Sequence, residues 1–215
     1  MNPPSRLAIC FRRTRLVQVN ADPSGDGAAL QALRAGASGA LDALVARWQR
    51  PLFAFAWRYV HNAADAEDLV VAAFVRLHEQ RLRLRADTNL PAWLFTTLAN
   101  LCHNHHRWRR RHPEHSLDLD EGGAEPPEPG LQSAGPAPDF AIQGDETGAA
   151  VRSAIDDLPP ELKTVLLLHH YEQLTCRQIA AIVGCSERGV ETRLYRARQR
   201  LRAQLAPLIA ELLPR

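Results

Sequence analysis

The groups with the most specific chemistry lie between Thr175 and Leu205, in TCRQIAAIVGCSERGVETRLYRARQRLRAQL. Arg188 can donate to the acceptor edge of guanine and Glu191 can accept from cytosine, pairings that side chains make in the DNA major groove. Arg177, Arg193 and Arg196 suit phosphate oxygens, contacts that fix register without reading sequence. These roles require a helix that carries the side chains into the groove, and the spacing supplies one. Thr175 and Gln178 form a capping-box pattern at the start of a short helix with Ile179, Ala180 and Ile182 on its apolar face. Gly184 tolerates the positive φ that commonly ends a helix. Ser186 is an N-cap for a second helix whose Val190, Leu194, Ala197, Leu201 and Leu205 recur at spacings of three and four. With Val190 and Leu194 inward, Arg188, Glu191 and Thr192 point outward. A short helix, a tight glycine turn and a basic second helix match a helix-turn-helix. The competing reading is an ordinary helical hairpin with a solvated basic face.

A second basic segment, PAWLFTTLANLCHNHHRWRRRH, is apolar along Trp93, Leu94, Leu98 and Leu101 and polar beyond them. Asn100, His103, Asn104, Arg107 and Trp108 offer hydrogen bonds, charge and one stacking ring, a set suited to phosphates and unpaired bases. Arginines at a helix C-terminus are also favourable with no ligand present. His103, His105, His106, His112 and His115 cluster beside Cys102. One helix face supplies at most Cys102 and His106, whereas a structural zinc normally takes four ligands, so no metal site is expected. His169 and His170 read as packing and dipole partners. No nucleophile–base pair or phosphate-binding loop is visible, so neither catalysis nor a cofactor is expected.

These segments need helices to position them, and no strand pattern appears, so the chain reads as all-α. A helical stripe runs from about Ala28 to Val60 through Leu41, Leu44, Val45, Trp48, Leu52, Phe55, Ala56 and Tyr59, with a kink or short break expected near Arg50 because of Pro51. The helix from Asn62 to Gln80 starts at a cap and an acidic turn of Asp65, Glu67 and Asp68. It buries Ala66, Leu69, Val70, Ala73, Phe74 and Leu77, and its second apolar face, Val71, Ala72 and Val75, is expected to be a contact surface. Residues 81–89 read as a loop and Pro91 as a first helical position. Pro113 to Gly148 is rich in Pro, Gly and acidic residues and holds no Lys or Arg, a composition that cannot fold alone. The expected organisation is therefore a disordered tail over 1–27, a helical domain over 28–112, a flexible acidic linker over 113–148 and a helix-turn-helix domain over 149–215. Within the last, VRSAIDDL forms a short helix and Pro160 opens another.

The 215 residues balance 26 Lys and Arg against 24 Asp and Glu, for a formal charge of +2, so only local basic patches can attract nucleic acid. The four cysteines show no disulfide framework, and a reducing cytoplasm is the simplest compartment. No apolar run approaches the roughly 20 residues that span a bilayer, so no membrane insertion is expected.

The chain resembles the sigma-70 family of RNA polymerase sigma factors, of the extracytoplasmic-function type. NAADAEDLVVAAFVRL is similar to the region 2 helix that docks on core polymerase, PAWLFTTLANLCHNHHRWRRR to the promoter-melting segment that reads the −10 element, and LPPELKTVLLLHHYEQLTCRQIAAIVGCSERGVETRLYRARQRLR to region 4, which reads the −35 element. The resemblance implies a factor that binds core RNA polymerase and promoter DNA, with an anti-sigma factor as a further partner. It places Asp65, Glu67, Asp68, Val71, Ala72 and Val75 on the polymerase, Asn100, His103, Asn104, Arg107 and Trp108 on the −10 region aided by the 83–89 loop, and Arg177, Ser186, Arg188, Glu191, Thr192, Arg193 and Arg196 on the −35 element. The chain departs from the family at Val71 and Ala72, where Gln and an acidic residue are usual. It departs also at Asn104, commonly acidic, and at Gly189, usually Thr or Ser. The runner-up reading is a two-domain DNA-binding regulator that is not a sigma factor. A purely structural helical module is the third.

Overall fold

The computed structural model of the protein describes residues 23–112 and 146–212, and among the described residues every regular element is a helix. They are α1 (Pro23–Arg34), α2 (Ala40–Val60), α3 (Ala63–Gln80), α4 (Leu90–Arg111), α5 (Glu146–Asp156), α6 (Pro160–His170), α7 (Cys176–Val183) and α8 (Glu187–Leu212). Helices α1–α4 pack on one another, and α5–α7 pack on α8.

Three boundaries differ from the sequence expectations. Helix α1 begins at Pro23, inside the segment read as a tail, because tertiary contacts override a weak local signal. Leu30 and Leu33 are buried, and the buried Asp26 carboxylate accepts from the Trp48 indole at 3.2 Å and lies 3.4 Å from the Arg47 guanidinium. The helix break falls after Arg34 rather than near Arg50: Gly36 and Gly39 take φ of 73° and 77°, while α2 runs unbroken through Pro51. Proline removes only one helix hydrogen bond, and Leu52, Phe53, Phe55 and Ala56 are all buried around it. Helix α5 begins at Glu146, within the stretch assigned to the linker. Residues 1–22 and 113–145, which carry the rest of the tail and linker readings, lie outside the described residues.

The Asn62 cap agrees with the sequence, while Asn89, read as the end of a loop, caps α4 one residue ahead of the start expected at Pro91. Asn62 Oδ1 accepts from the Asp65 amide at 2.9 Å, and Asn89 does the same for Ala92 at 3.1 Å. Phe95 is the hub of the first group: it meets Trp48 and Phe55 edge-on at centroid distances of 6.4 and 5.8 Å. Helix α6 is buried nearly all round, from Leu162 to Leu168, including Lys163.

The buried residues of both groups form one continuous cluster. Where the groups meet, Arg58 of α2 donates to Glu172 at 2.9 Å and its guanidinium stacks over the Tyr171 ring at 4.6 Å. Lys163 donates to the Tyr59 carbonyl at 2.7 Å and to Asp156 at 2.8 Å. His61 Nε2 is 2.9 Å from the same Asp156 oxygen, and the Thr96 hydroxyl is 2.7 Å from the Ile182 carbonyl.

Candidate nucleic-acid interface

The helix-turn-helix forms as its residue types require. The Thr175 hydroxyl accepts from the Gln178 amide at 3.3 Å, and Gln178 Oε1 accepts from the Thr175 amide at 2.9 Å. Gly184 closes α7 at φ 66°, ψ 41°. The Ser186 hydroxyl then accepts from the Gly189 amide at 3.1 Å, the N-cap bond of α8. Ile179, Ile182, Val190, Leu194 and Ala197 are buried between the two helices and α6, which fixes the outward face of α8.

On that face Ser186, Arg188, Glu191 and Arg196 are exposed, as is Arg177 on α7. Thr192 is exposed too, but its hydroxyl donates to the Arg188 carbonyl at 2.8 Å, so the methyl group is what it presents. Arg193 is half-buried and lines a concavity with Arg196 and Arg200 beside the start of α6. Sequence reasoning passed over Tyr195, which is 60% exposed with its hydroxyl accepting from Gln199 at 3.1 Å. Its spacing of three from Thr192 and four from Glu191 puts it on the same face. Gly189 has a packing reason: a Cβ there would lie 3.2 Å from Cys185 Sγ.

The second basic face is the C-terminal half of α4. Asn100, His103, Asn104 and Arg107 are exposed along it. Trp108 is 43% exposed and stacks on His112 at 5.0 Å with 26° between the rings. Arg109 donates to Asp65 at 3.1 Å, and His105 Nε2 lies 3.2 Å from the same oxygen. Asp65 therefore ties the first turn of α3 to the end of α4. Cys102 is fully buried, and burial pushes its thiol up to about 12, which keeps it protonated and unreactive. Among the described residues no three His, Cys, Asp or Glu side chains converge as metal ligands would. In the connecting loop Arg83 is exposed, while Arg85 is occupied by a bidentate contact with Asp87 at 3.0 and 3.2 Å.

A third surface is apolar. Leu41, Val45, Gln49 and Phe53 of α2 and Glu67, Val70, Val71, Phe74, Val75 and His78 of α3 line an open groove of about 530 Å³. Val71 and Val75 are 60% and 49% exposed, whereas Ala72 is half-buried. Glu67 stands in the groove lining, and Asp68 is exposed beside it. The α2 wall was read from sequence only as core, within the apolar stripe that includes Leu41 and Val45, which the structure leaves half-buried.

Comparison with known proteins matches this arrangement in both halves. Residues 44–112 match the sigma-70 region 2 family and residues 148–201 match sigma-70, region 4. The chain is 29% identical over 183 residues to the RNA polymerase sigma-H factor of Pseudomonas aeruginosa, covering 85% of this chain and 94% of that protein. It is 28% identical over 189 residues to the ECF RNA polymerase sigma-E factor of Escherichia coli strain K12, covering 86% and 96%. In fold it resembles CnrH, solved in complex with the cytosolic domain of CnrY, with TM-score 0.61, 23% identity and coverage of 85% and 97%. It also resembles the sigma factor RpoE of Bartonella quintana, solved with the anti-sigma factor NepR, with TM-score 0.55, 24% identity and coverage of 78% and 98%. The chain belongs to the sigma-70 family of RNA polymerase sigma factors, in the extracytoplasmic-function group.

Proposed function

We infer that the chain acts as a sigma factor: it binds core RNA polymerase and directs promoter-specific initiation through −10 and −35 recognition. The observation that carries this reading is the order of region 2 and region 4 matches along one chain. Each is folded around an exposed basic face. A DNA-binding regulator would need only the second match. The factor works without catalysis of its own, in the cytoplasm where polymerase and DNA are.

The surfaces divide as follows. Arg188 and Glu191, at the exposed start of α8, read −35 bases, while Arg177, Arg193 and Arg196 hold phosphates and Ser186 and Thr192 make short contacts beside them. Asn100, His103, Asn104, Arg107 and Trp108 engage the −10 strand, with the 83–89 loop alongside. Val71 and Val75, with Glu67, Asp68 and Ala72, receive core polymerase in the α2–α3 groove. Asp65 contributes there by fixing α3 against α4. An anti-sigma protein is a second occupant of these faces.

Run-off transcription with core polymerase on a promoter library tests the inference as a whole, and transcription no higher than with core alone refutes it. The division of roles is tested by holoenzyme binding to a randomised −35 library at two salt concentrations. Arg188→Ala and Glu191→Ala shift the preferred sequence, each at about 1–3 kcal/mol for a lost bidentate contact. Arg196→Ala weakens all sequences alike and lowers the salt slope by about one phosphate. The reverse pattern inverts the assignment.

A further inference from the structure

We propose that Asp65 is a positioning residue for promoter opening: by holding His105 and Arg109 of α4 it fixes the pose of Trp108, the ring offered to unpaired bases. The proposal rests on the sigma-factor reading and gives one acidic residue of α3 a task on the −10 face.

The three acidic residues at the start of α3 are not equivalent. Glu67 and Asp68 are exposed, whereas Asp65 is half-buried and turned onto α4. Its Oδ2 accepts from the Arg109 guanidinium at 3.1 Å and lies 3.2 Å from His105 Nε2. One carboxylate oxygen thus meets two groups four residues apart on α4. The Asp65 amide is held in turn by the Asn62 side chain at 2.9 Å, so the backbone behind the carboxylate is fixed as well. The arginines at the end of α4 divide in the same way: Arg107, Arg110 and Arg111 are exposed, and Arg109 is half-buried against α3. With the Asp65 and Arg109 side chains 28% and 30% exposed, an ion pair of this kind adds little to stability. What it supplies is geometry.

Trp108 lies in a row of rings anchored by that grip. Its centroid is 6.5 Å from His105 and 5.0 Å from His112, with 38° and 26° between the ring planes. Spacings of three and four place the three rings along one face of α4. His112 is fixed at the far end of the row, with Nδ1 3.0 Å from the Trp108 carbonyl. Asp65 fixes the near end through His105. An indole 43% exposed at a helix surface must be ordered before a base can stack on it, and that ordering opposes binding. Here the row orders the ring during folding, so its face is in place when the duplex opens and bases become available to stack.

The test uses the full-length chain with core polymerase, on a fragment selected from the promoter library. Asp65→Asn keeps the shape of the side chain and the backbone cap while deleting the charge, and Asp65→Ala removes the group. Both bind core within about threefold of wild type and lower permanganate reactivity of the −10 bases about tenfold, the loss expected when several side chains must be ordered on binding. The deciding readout is coupling. Trp108→Ala lowers opening about tenfold in the native background but less than about threefold in the Asp65→Ala background, because Asp65 acts through that ring. The same factor in both backgrounds overturns the proposal, as does a loss of core binding large enough to account for the lost opening. A second measurement needs no polymerase. The indole Nε1 proton resonance of Trp108, identified by its disappearance in Trp108→Phe, shifts in Asp65→Asn while those of Trp48, Trp57 and Trp93 hold; an unmoved Trp108 resonance also overturns the proposal. If wild type with core opens no promoter in the library, the sigma reading is what fails, and the resonance still decides whether Asp65 sets the ring.

Discussion

Replacing Gly189 with alanine sets two effects of known sign against each other. Alanine in a helix interior is favoured over glycine by about 1 kcal/mol, so a helix start with room for a methyl group should tighten. The new Cβ, however, lies 3.2 Å from Cys185 Sγ, 3.4 Å from Ser186 Oγ and 3.5 Å from Cys185 Cβ. None of these atoms is the loose end of a long side chain. Ser186 Oγ is held by the Gly189 amide at 3.1 Å, and Cys185 Sγ contacts the Ser186 carbonyl at 3.4 Å. Relief must come from the N-cap itself, whose loss costs about 1 kcal/mol. The two terms nearly cancel, so Gly189→Ala alone leaves the first turn of α8 about as stable as before. In a Cys185→Ala background the crowding atom is gone and the helix gain is released. The coupling between the two positions is therefore about 1 kcal/mol. Hydrogen exchange on the segment spanning Ser186 to Tyr195, read in the full-length chain, checks it. Protection rises about fivefold on adding Gly189→Ala to Cys185→Ala and stays within about twofold in the native background. Equal gains in both backgrounds would refute the claim that Cys185 dictates glycine at this position.

Val75→Glu places a carboxylate on the 49% exposed wall of the apolar groove, and co-purification with core polymerase is lost while the helical signal is kept; normal binding removes the groove from the polymerase interface. Asn100→Ala with Trp108→Ala reduces permanganate reactivity of the −10 bases by more than tenfold, because each stacked base contributes about 1–3 kcal/mol, and unchanged opening counts against that face. Stability depends on pH through Glu172, whose carboxyl burial pushes up to about 7 from an ordinary 4.5 even with Arg58 beside it. The folded chain thus holds a proton that the unfolded chain releases, and its stability rises by about 1 kcal/mol as pH falls from 8 to 6.5. Below that, His106 opposes folding, since burial, Lys163 and Arg110 hold it under its usual 6.5; for Asp156 burial acts upward, but His61 and Lys163 outweigh it and keep the group below 3.8 and ionised throughout. A denaturant midpoint that is flat across pH 8 to 6.5 excludes Glu172 as the titrating group.

What was legible in the sequence was local. Thr175 with Gln178, Gly184, Ser186 and Asn62 announce helix ends because each satisfies backbone groups within a few residues of itself. The outward face of α8 followed from the spacing of Val190, Leu194 and Ala197 alone. Misreadings occurred where a distant partner overrules a local signal. Pro23–Gly27 reads as a tail until Asp26 is seen beneath Trp48, 22 residues away. Pro51 reads as a break, yet burial on both sides carries α2 through it.

The contact between the helix groups was hidden for the same reason, since Arg58 and Glu172 are 114 residues apart and neither looks unusual alone. One signal for it was present. In PELKTVLLLHH the positions from Leu162 to Leu168 leave no polar face of normal width, and a helix apolar nearly all round must be covered nearly all round. The α5, α7 and α8 helices cannot do this alone, because α6 also packs on α2 of the other group. Lys163 near the start of that run then needs acceptors where no water reaches, and Asp156 supplies only one. The second is the Tyr59 carbonyl of α2. A buried lysine in a helix covered nearly all round therefore marks the side on which the second helical group must dock, and it is the feature by which this packing can be sought in related chains.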